Sequence, residues 1–460
     1  MCIAVAALLL PALHNGYPLL SQDTATHLYS GKQGFLPADR PYYYGLFIRH
    51  ISMVTTLWFP VIVQALCVYA LIFLTVKKWI ILPSKHLGMT AALITLVLSV
   101  TTSLAVFTSM LIPDLFAGLG VLAVMLFLSS ENNRWEQLFL IVLILFAAAV
   151  HLSHVPLLVF TAVLCALMQT GKSSRLRLFI RSAVLVSSIV LIIPVFNFLL
   201  FQKFVLSESG YVFLTARLSQ SGILRDYQDK HPAMLLPELR REKNQASLSA
   251  VNFLWDEDSP VYQNCPAPAK RTENEPGYTC FRYKNGIYKQ VVKQVIRDPA
   301  VFRSLVSASL LSWKDQLTSF RMNDLVLPFS KRNPQSELYK MISFIYPSEL
   351  HQFETSVQYN RENDYRVLNC IFLWSVIGGS VFLIASLCWV NSFRRITLVV
   401  LLAVVANAAI CGCLSDVSDR YEARVLWIVP LLALINGFEF IRQLNKPLLV
   451  PAPIILPPSQ

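Results

Sequence analysis

The feature that most constrains this chain is the recurrence of apolar runs about 20 residues long, a length that matches the hydrocarbon thickness of a bilayer. About ten can be read, at roughly 2–20, 53–76, 87–108, 114–130, 137–151, 155–170, 181–202, 367–390, 396–413 and 424–441. Inside a bilayer the backbone must satisfy its own hydrogen bonds, so such runs are expected as helices. Composition agrees: 14% of the 460 residues are charged and 55% are hydrophobic, against about 25% charged in soluble proteins. A disordered chain, a coiled coil and a disulfide-rich mini-protein are excluded, and a soluble enzyme is disfavoured. The expected fold class is an all-α polytopic membrane protein of about ten transmembrane helices with a mostly helical extracytoplasmic insertion. It divides into an N-terminal membrane module (1–202), a loop domain (203–366) and a C-terminal membrane module (367–460). The first run is interrupted by Pro11, His14, Asn15 and Gly16. It lacks a basic n-region and a convincing cleavage site, so it reads as a helix and not as a signal peptide. Its abrupt apolar start also admits a misplaced start codon.

The net charge is +12. In a soluble protein that would suggest nucleic acid, but here the cations collect in short loops between the runs. One alternating set of loops holds Lys77, Lys78, Lys85, Arg134, Lys172, Arg175, Arg177, Arg181, Arg394, Arg395, Arg442 and Lys446. The short loops of the other set hold only Lys32, Arg40, Arg49, Arg420 and Arg424. The positive-inside rule makes the first set cytoplasmic, with both termini inside and 203–366 outside. No nucleic-acid partner is expected. Within the outer stretch, 286–320 is amphipathic and Pro299 can start a second helix after Asp298. Of nine cysteines only Cys265 and Cys280 lie in a long polar stretch, where an oxidising compartment would pair them. No spacing resembles a metal or redox motif.

Polar residues beside membrane helices are costly and are functional candidates by default. They gather on the outer face. The first outer loop, 20–52, carries Asp23, His27, Tyr29, Asp39, Arg40, the run Tyr42–Tyr44, Arg49 and His50. The next outer turns add Asp114, His151 and His154, and the last adds Asp416, Asp419, Arg420, Tyr421, Glu422 and Arg424. Each has a structural alternative. Asp23 and Asp114 suit helix N-caps. Asp39 and Arg40 can form a surface pair worth little. The tyrosines read as an interfacial aromatic belt before a sugar platform. His151 and His154 can chelate a divalent ion, though a hydrogen-bonded interfacial role needs less. Arg420 and Arg424 share a helical face and either anchor at headgroups or grip phosphate. Together they fit a site for a phosphate-bearing lipid.

The loop after the first helix, with Asp23 followed six residues on by Tyr29, resembles the first-loop acidic motif of the GT-C superfamily of integral-membrane glycosyltransferases. Asp419-Arg420-Tyr421 ahead of an apolar helix with Pro430 is similar to the Arg-Tyr-then-proline signature of many bacterial members. Juxtamembrane amphipathic sequence and a long extracytoplasmic segment complete the resemblance, which covers most of the chain in layout. Two features depart from the pattern. Thr24 stands where a second acid is usual, and the long segment lies between the seventh and eighth runs instead of after the last. The resemblance implies a divergent bacterial enzyme of the inner (plasma) membrane and cell envelope, with its active site on the periplasmic side. It would move a hexosyl or pentosyl group from a polyprenyl-phosphate sugar donor to a lipid or glycan acceptor. It implies Asp23 as general base, with Asp39 and Asp114 as the other carboxylates. Arg40, Arg49, His50, His151, His154, Arg420, Tyr421 and Arg424 are its candidates for holding the donor phosphate and substrate. No cofactor is required, and a divalent metal is allowed. The rivals are a transporter or lipid flippase, a surface-polysaccharide polymerase or ligase, and a non-catalytic membrane scaffold.

Overall fold

The computed structural model describes residues 1–168, 175–231, 236–239, 248–256, 258–265, 278–322, 334–360, 364–391 and 393–444. Lys172 and Lys446, used above to assign sides, lie outside the described residues. The described chain is all-α, and its β content is a single parallel bridge between Leu19 and Met110.

Six helical stretches among the described residues are long and apolar enough to cross a membrane: Trp58–Trp79, Ser84–Thr101, Phe179–Phe201, Arg366–Trp389, Arg394–Leu414 and Asp419–Leu444. The expectation of about ten is therefore corrected. The first run is two short helices, Cys2–Leu8 and Leu10–Asn15, with Pro11 in the first turn of the second and Gly16 ending it in the left-handed region. The third run breaks at Thr102, leaving the buried helix Leu104–Ser109. Leu115–Ser129 and His154–Leu167 are apolar but shorter than a span. Leu115–Ser129 is buried on every side from Leu115 to Leu128. A helix sheathed by other helices is apolar all round whatever its length, which is why hydropathy alone read it as a span.

Arg134–Val150 starts at Asn133, whose Oδ1 accepts from the backbone N–H groups of Trp135 and Glu136. The Glu136 carboxylate returns to the Asn133 N–H at 2.8 Å and pairs with Lys77 and Lys78 at 2.9 and 2.6 Å. This capping box ties two of the basic loops together at one end of the helices.

At the other end the insertion braces the first outer loop. It has its own core, built around Phe253, Phe281, Tyr288 and Val292, and contains the expected Cys265–Cys280 disulfide. Ser209 Oγ donates to the Ala38 carbonyl at 2.6 Å, and Arg282 Nη2 to that of Leu36 at 2.9 Å. On the opposite flank Gln220 donates to Asp416 at 2.8 Å, and the Gln316 amide exchanges two hydrogen bonds with the Ser418 backbone. The insertion thus fixes two of the four turns that carry the candidate charges, 20–52 and 416–424. Its last part also clamps the N-terminus, for the Gln358 amide bonds both backbone groups of Leu20.

Candidate active site

The bridge at Leu19 sets the geometry. Leu19 N–H donates to the Ser109 carbonyl and the Leu111 N–H to Leu19, both at 2.9 Å. Thr24 Oγ1 then donates to the Leu111 carbonyl at 2.9 Å. These bonds hold the start of helix Gln22–Gln33 beside the turn carrying Asp114. The same helix is pinned to Tyr43–Ser52 where Gly31 meets Gly45. A Cβ on Gly31 would lie 2.3 Å from the Gly45 carbonyl oxygen, so only glycine permits this approach.

On this frame six side chains form an alternating chain of charges. Asp23 Oδ1 pairs with Arg40 Nη1 at 2.9 Å and Oδ2 with Arg420 Nη1 at 2.7 Å. Arg40 also pairs with Asp39 at 2.8 Å. Arg420 Nε lies 3.8 Å from Asp114 Oδ1, and Arg424 Nη1 binds the same oxygen at 3.0 Å. The chain has two tiers. Asp23, Arg40 and Arg420 keep 32%, 18% and 23% side-chain exposure, whereas Asp114 and Arg424 keep 2% and 0%. Asp23 is not the N-cap, since Ser21 holds that position and Thr24 Oγ1 accepts from its N–H. Asp114 does occupy the N-cap position of Leu115–Ser129, but its side chain makes no capping hydrogen bond and is committed to arginine.

Burial works to raise the Asp23 carboxyl, but Arg40 and Arg420 outweigh it and hold it well below the usual carboxylate range. Burial, with Arg40 adding to it, pushes the His27 imidazole down to about 3. His27 is therefore neutral at pH 7. It follows Asp23 by one helical turn and packs edge-on against Tyr44, ring centroids 5.0 Å apart. Its Nδ1 is buried without a hydrogen-bond partner among the described residues.

Arg424 Nη2 donates to Ser153 Oγ at 2.8 Å and to Asn407 Oδ1 at 3.2 Å. Ser153 is in turn 2.8 Å from His151 Nδ1. His154 Nδ1 bonds the Ala147 carbonyl at 2.8 Å, and its Nε2 has no partner among the described residues. The two rings also lie against each other, centroids 5.0 Å apart, and among the described residues no group of three metal-ligating side chains forms. Tyr421 presents its ring to Arg420 and Arg424, 5.2 and 5.1 Å from the centroid.

Asp23, Asp39, Asp114, Arg40, Arg420, Tyr421 and Arg424 are thus brought together, with His151 and His154 at the buried edge. Arg49 and His50 are not part of the cluster. They are exposed in the last turn of Tyr43–Ser52, where Arg49 donates to the Gly31 carbonyl at 3.2 Å. The tyrosine run is no interfacial belt either. Tyr43 and Tyr44 are buried, their hydroxyls donating to Asn197 and Gln64, each at 2.7 Å. Sequence reasoning names His27 and Glu422 on the outer loops without giving them a role, and it misses Ser153 and Asn407. Two signals were visible: His27 stands four residues after Asp23, and Asn407 interrupts an apolar run. The Asn407 amide donates to the buried Glu422 carboxylate at 2.9 Å.

Compared with known proteins, the chain matches no family model, and no curated protein or solved structure is significantly similar to it.

Proposed function

We propose that this protein is a GT-C-like membrane glycosyltransferase. It moves a sugar from a polyprenyl-phosphate donor to a lipid or polysaccharide acceptor on the outer face of a bacterial plasma membrane. The observation that supports this best is the clamp of Asp23 between Arg40 and Arg420, contributed by opposite ends of the chain and still reached by solvent. A carboxylate between two guanidinium groups marks a place where an anion of similar shape can bind, since arginine holds carboxylate and phosphate by the same fork.

In this reading the donor phosphate competes for Arg40 and Arg420. The acceptor hydroxyl attacks the anomeric carbon, and the bond from that carbon to the phosphate oxygen breaks. The electron pair leaves with the phosphate, whose growing charge the arginines stabilise. The acceptor proton passes to the Asp23 carboxylate, which becomes a stronger base once its arginines have turned to phosphate. General-base help of this kind is worth about 10²–10⁴-fold. Asp114 and Arg424 act one layer below, fixing where Arg420 lies. An apolar groove of about 530 Å³ between Leu145 and the face of Ala183, Leu191 and Val195 suits a prenyl chain. The Tyr43 hydroxyl bonds Asn197, two residues past the end of that groove.

The test is transfer by the purified full-length protein from a labelled polyprenyl-phosphate sugar, with mass spectrometry of surface glycolipids in a deletion strain to identify sugar and acceptor. Loss of one glycolipid sugar on deletion, restored by the gene, is expected. An unchanged glycolipid profile together with no transfer in vitro contradicts the proposal.

A further inference from the structure

The insertion contains a helix with an exposed apolar face. Pro299–Thr318 is 20 residues long and starts at Asp298, whose carboxylate accepts from the Ala300 N–H at 2.7 Å. At 100° per residue most of its side chains fall on three faces, with the exposed Leu311 standing apart from them beyond the polar one. One face, Val301, Leu305, Ala308, Ser312 and Gln316, is turned to protein. There the Ser312 carbonyl lies so close to Gly412 that a Cβ on that glycine would meet it at 2.6 Å. A second face carries Arg303, Ser307, Lys314 and Thr318, all exposed.

The third face, between these two, is apolar: Phe302, Val306 and Leu310 are exposed, with Trp313 and Leu317 beside them half-buried. Phe302 and Leu310 keep 57% and 54% of their surface. Water is a poor neighbour for such a stripe. Its depth says what the neighbour is. The helix packs on the span Arg394–Leu414, where Cys413 Sγ reaches the Ser309 carbonyl at 3.4 Å and Trp313 Nε1 the Val405 carbonyl at 3.2 Å. Ser309 and Ser312 meet Cys413 and Gly412 at the end of that span, and the Trp313 side chain reaches down to Val405, nine residues before Leu414, about 14 Å along the helix axis. The apolar face therefore lies alongside a membrane span that itself leaves Leu402 and Leu414 exposed. Arg303 and Lys314 flank it as cations that reach up to lipid phosphates.

We propose that Pro299–Thr318 is an interfacial helix that lays Phe302, Val306 and Leu310 on the lipid of the leaflet adjoining the outer-face site, so that the insertion is anchored in the bilayer. Neither the sugar nor the reaction enters into this inference.

The experiment uses the full-length protein in nanodiscs of phosphatidylcholine with phosphatidylglycerol. p-Benzoylphenylalanine is installed in place of Val306, of Leu310, or of the control Ser307, and adducts are read by mass spectrometry after illumination. Lipid adducts at Val306 and Leu310 should exceed those at Ser307 several-fold. Equal yields at the three positions, or cross-links from Val306 and Leu310 to a second copy of the chain in place of lipid, would overturn the proposal. Since each label replaces an exposed side chain, the fold is expected to survive, and an unchanged elution volume verifies it.

Discussion

Arg424→Gln tests the lower tier of the charge cluster. Arg424 is fully buried and its Nη1 lies 3.0 Å from Asp114, itself 2% exposed. Its Nη2 holds Ser153 and Asn407 as well. At the effective dielectric of about 20 that describes protein sites, charges this close attract by about 5–6 kcal/mol. Part of that is offset by the cost of burying both ions. The measurable consequence comes from leaving one ion alone, about 3–5 kcal/mol when a buried partner is removed. Arg420, 3.8 Å from Asp114, remains to compensate in part, so a value near about 3 kcal/mol is expected. The assay is reversible denaturation of the full chain in detergent, with Asp114→Asn and the double variant closing a cycle. The double variant should recover more than half of the loss, because it removes the orphaned carboxylate. Should Arg424→Gln alone change stability by less than about 0.5 kcal/mol, the usual range of a surface substitution, the reasoning about a buried pair is refuted.

Three other consequences concern the upper tier and its frame. Asp23 has a depressed folded-state pKa. Its contribution to stability is full above the unfolded carboxylate value of about 4 and is lost as pH falls below it. Asp23→Asn should therefore flatten the acid limb of a stability–pH curve, and an unchanged limb would count against the clamp. Gly31→Ala should separate helices Gln22–Gln33 and Tyr43–Ser52, at about 1–3 kcal/mol for overpacking, and lower transfer; full activity and parental stability would show that the Gly31–Gly45 approach is dispensable. Cysteine labelling from outside intact cells should reach positions exposed within 26–38 and spare the Lys172 loop, and outside labelling of that loop would reverse the orientation on which the proposed function rests.

Much of the site was legible in the sequence because charge beside apolar helices is expensive and therefore sparse. Asp23, Arg40, Asp114 and Arg420 could be gathered by side of the membrane before any contact was known. What hydropathy could not see was burial by protein. It reads a helix sheathed by other helices and one facing lipid alike, so it takes Leu115–Ser129 for a span and Tyr44 for an interfacial residue. The Thr102 break and the Leu19–Met110 bridge also escaped notice, because both depend on backbone hydrogen bonds that no side-chain pattern encodes. Pairing within the cluster was equally hidden. Nothing in spacing says that Asp23 and Arg420, 397 residues apart, share a hydrogen bond, or that Arg49 and His50 turn away.

The most direct test of the central claim is sugar transfer from a polyprenyl phosphate by Asp23→Asn beside the parent protein, with donor binding measured in parallel. Asn keeps size and hydrogen bonding but removes the basic carboxylate. Turnover should fall by at least about 10²-fold while the variant stays membrane-inserted and still binds donor, and Arg420→Ala should weaken binding and rate together. Near-normal transfer by Asp23→Asn with loss in Asp39→Asn or Asp114→Asn would move the base to another carboxylate. Near-normal transfer by all three would contradict the mechanism and favour a transporter.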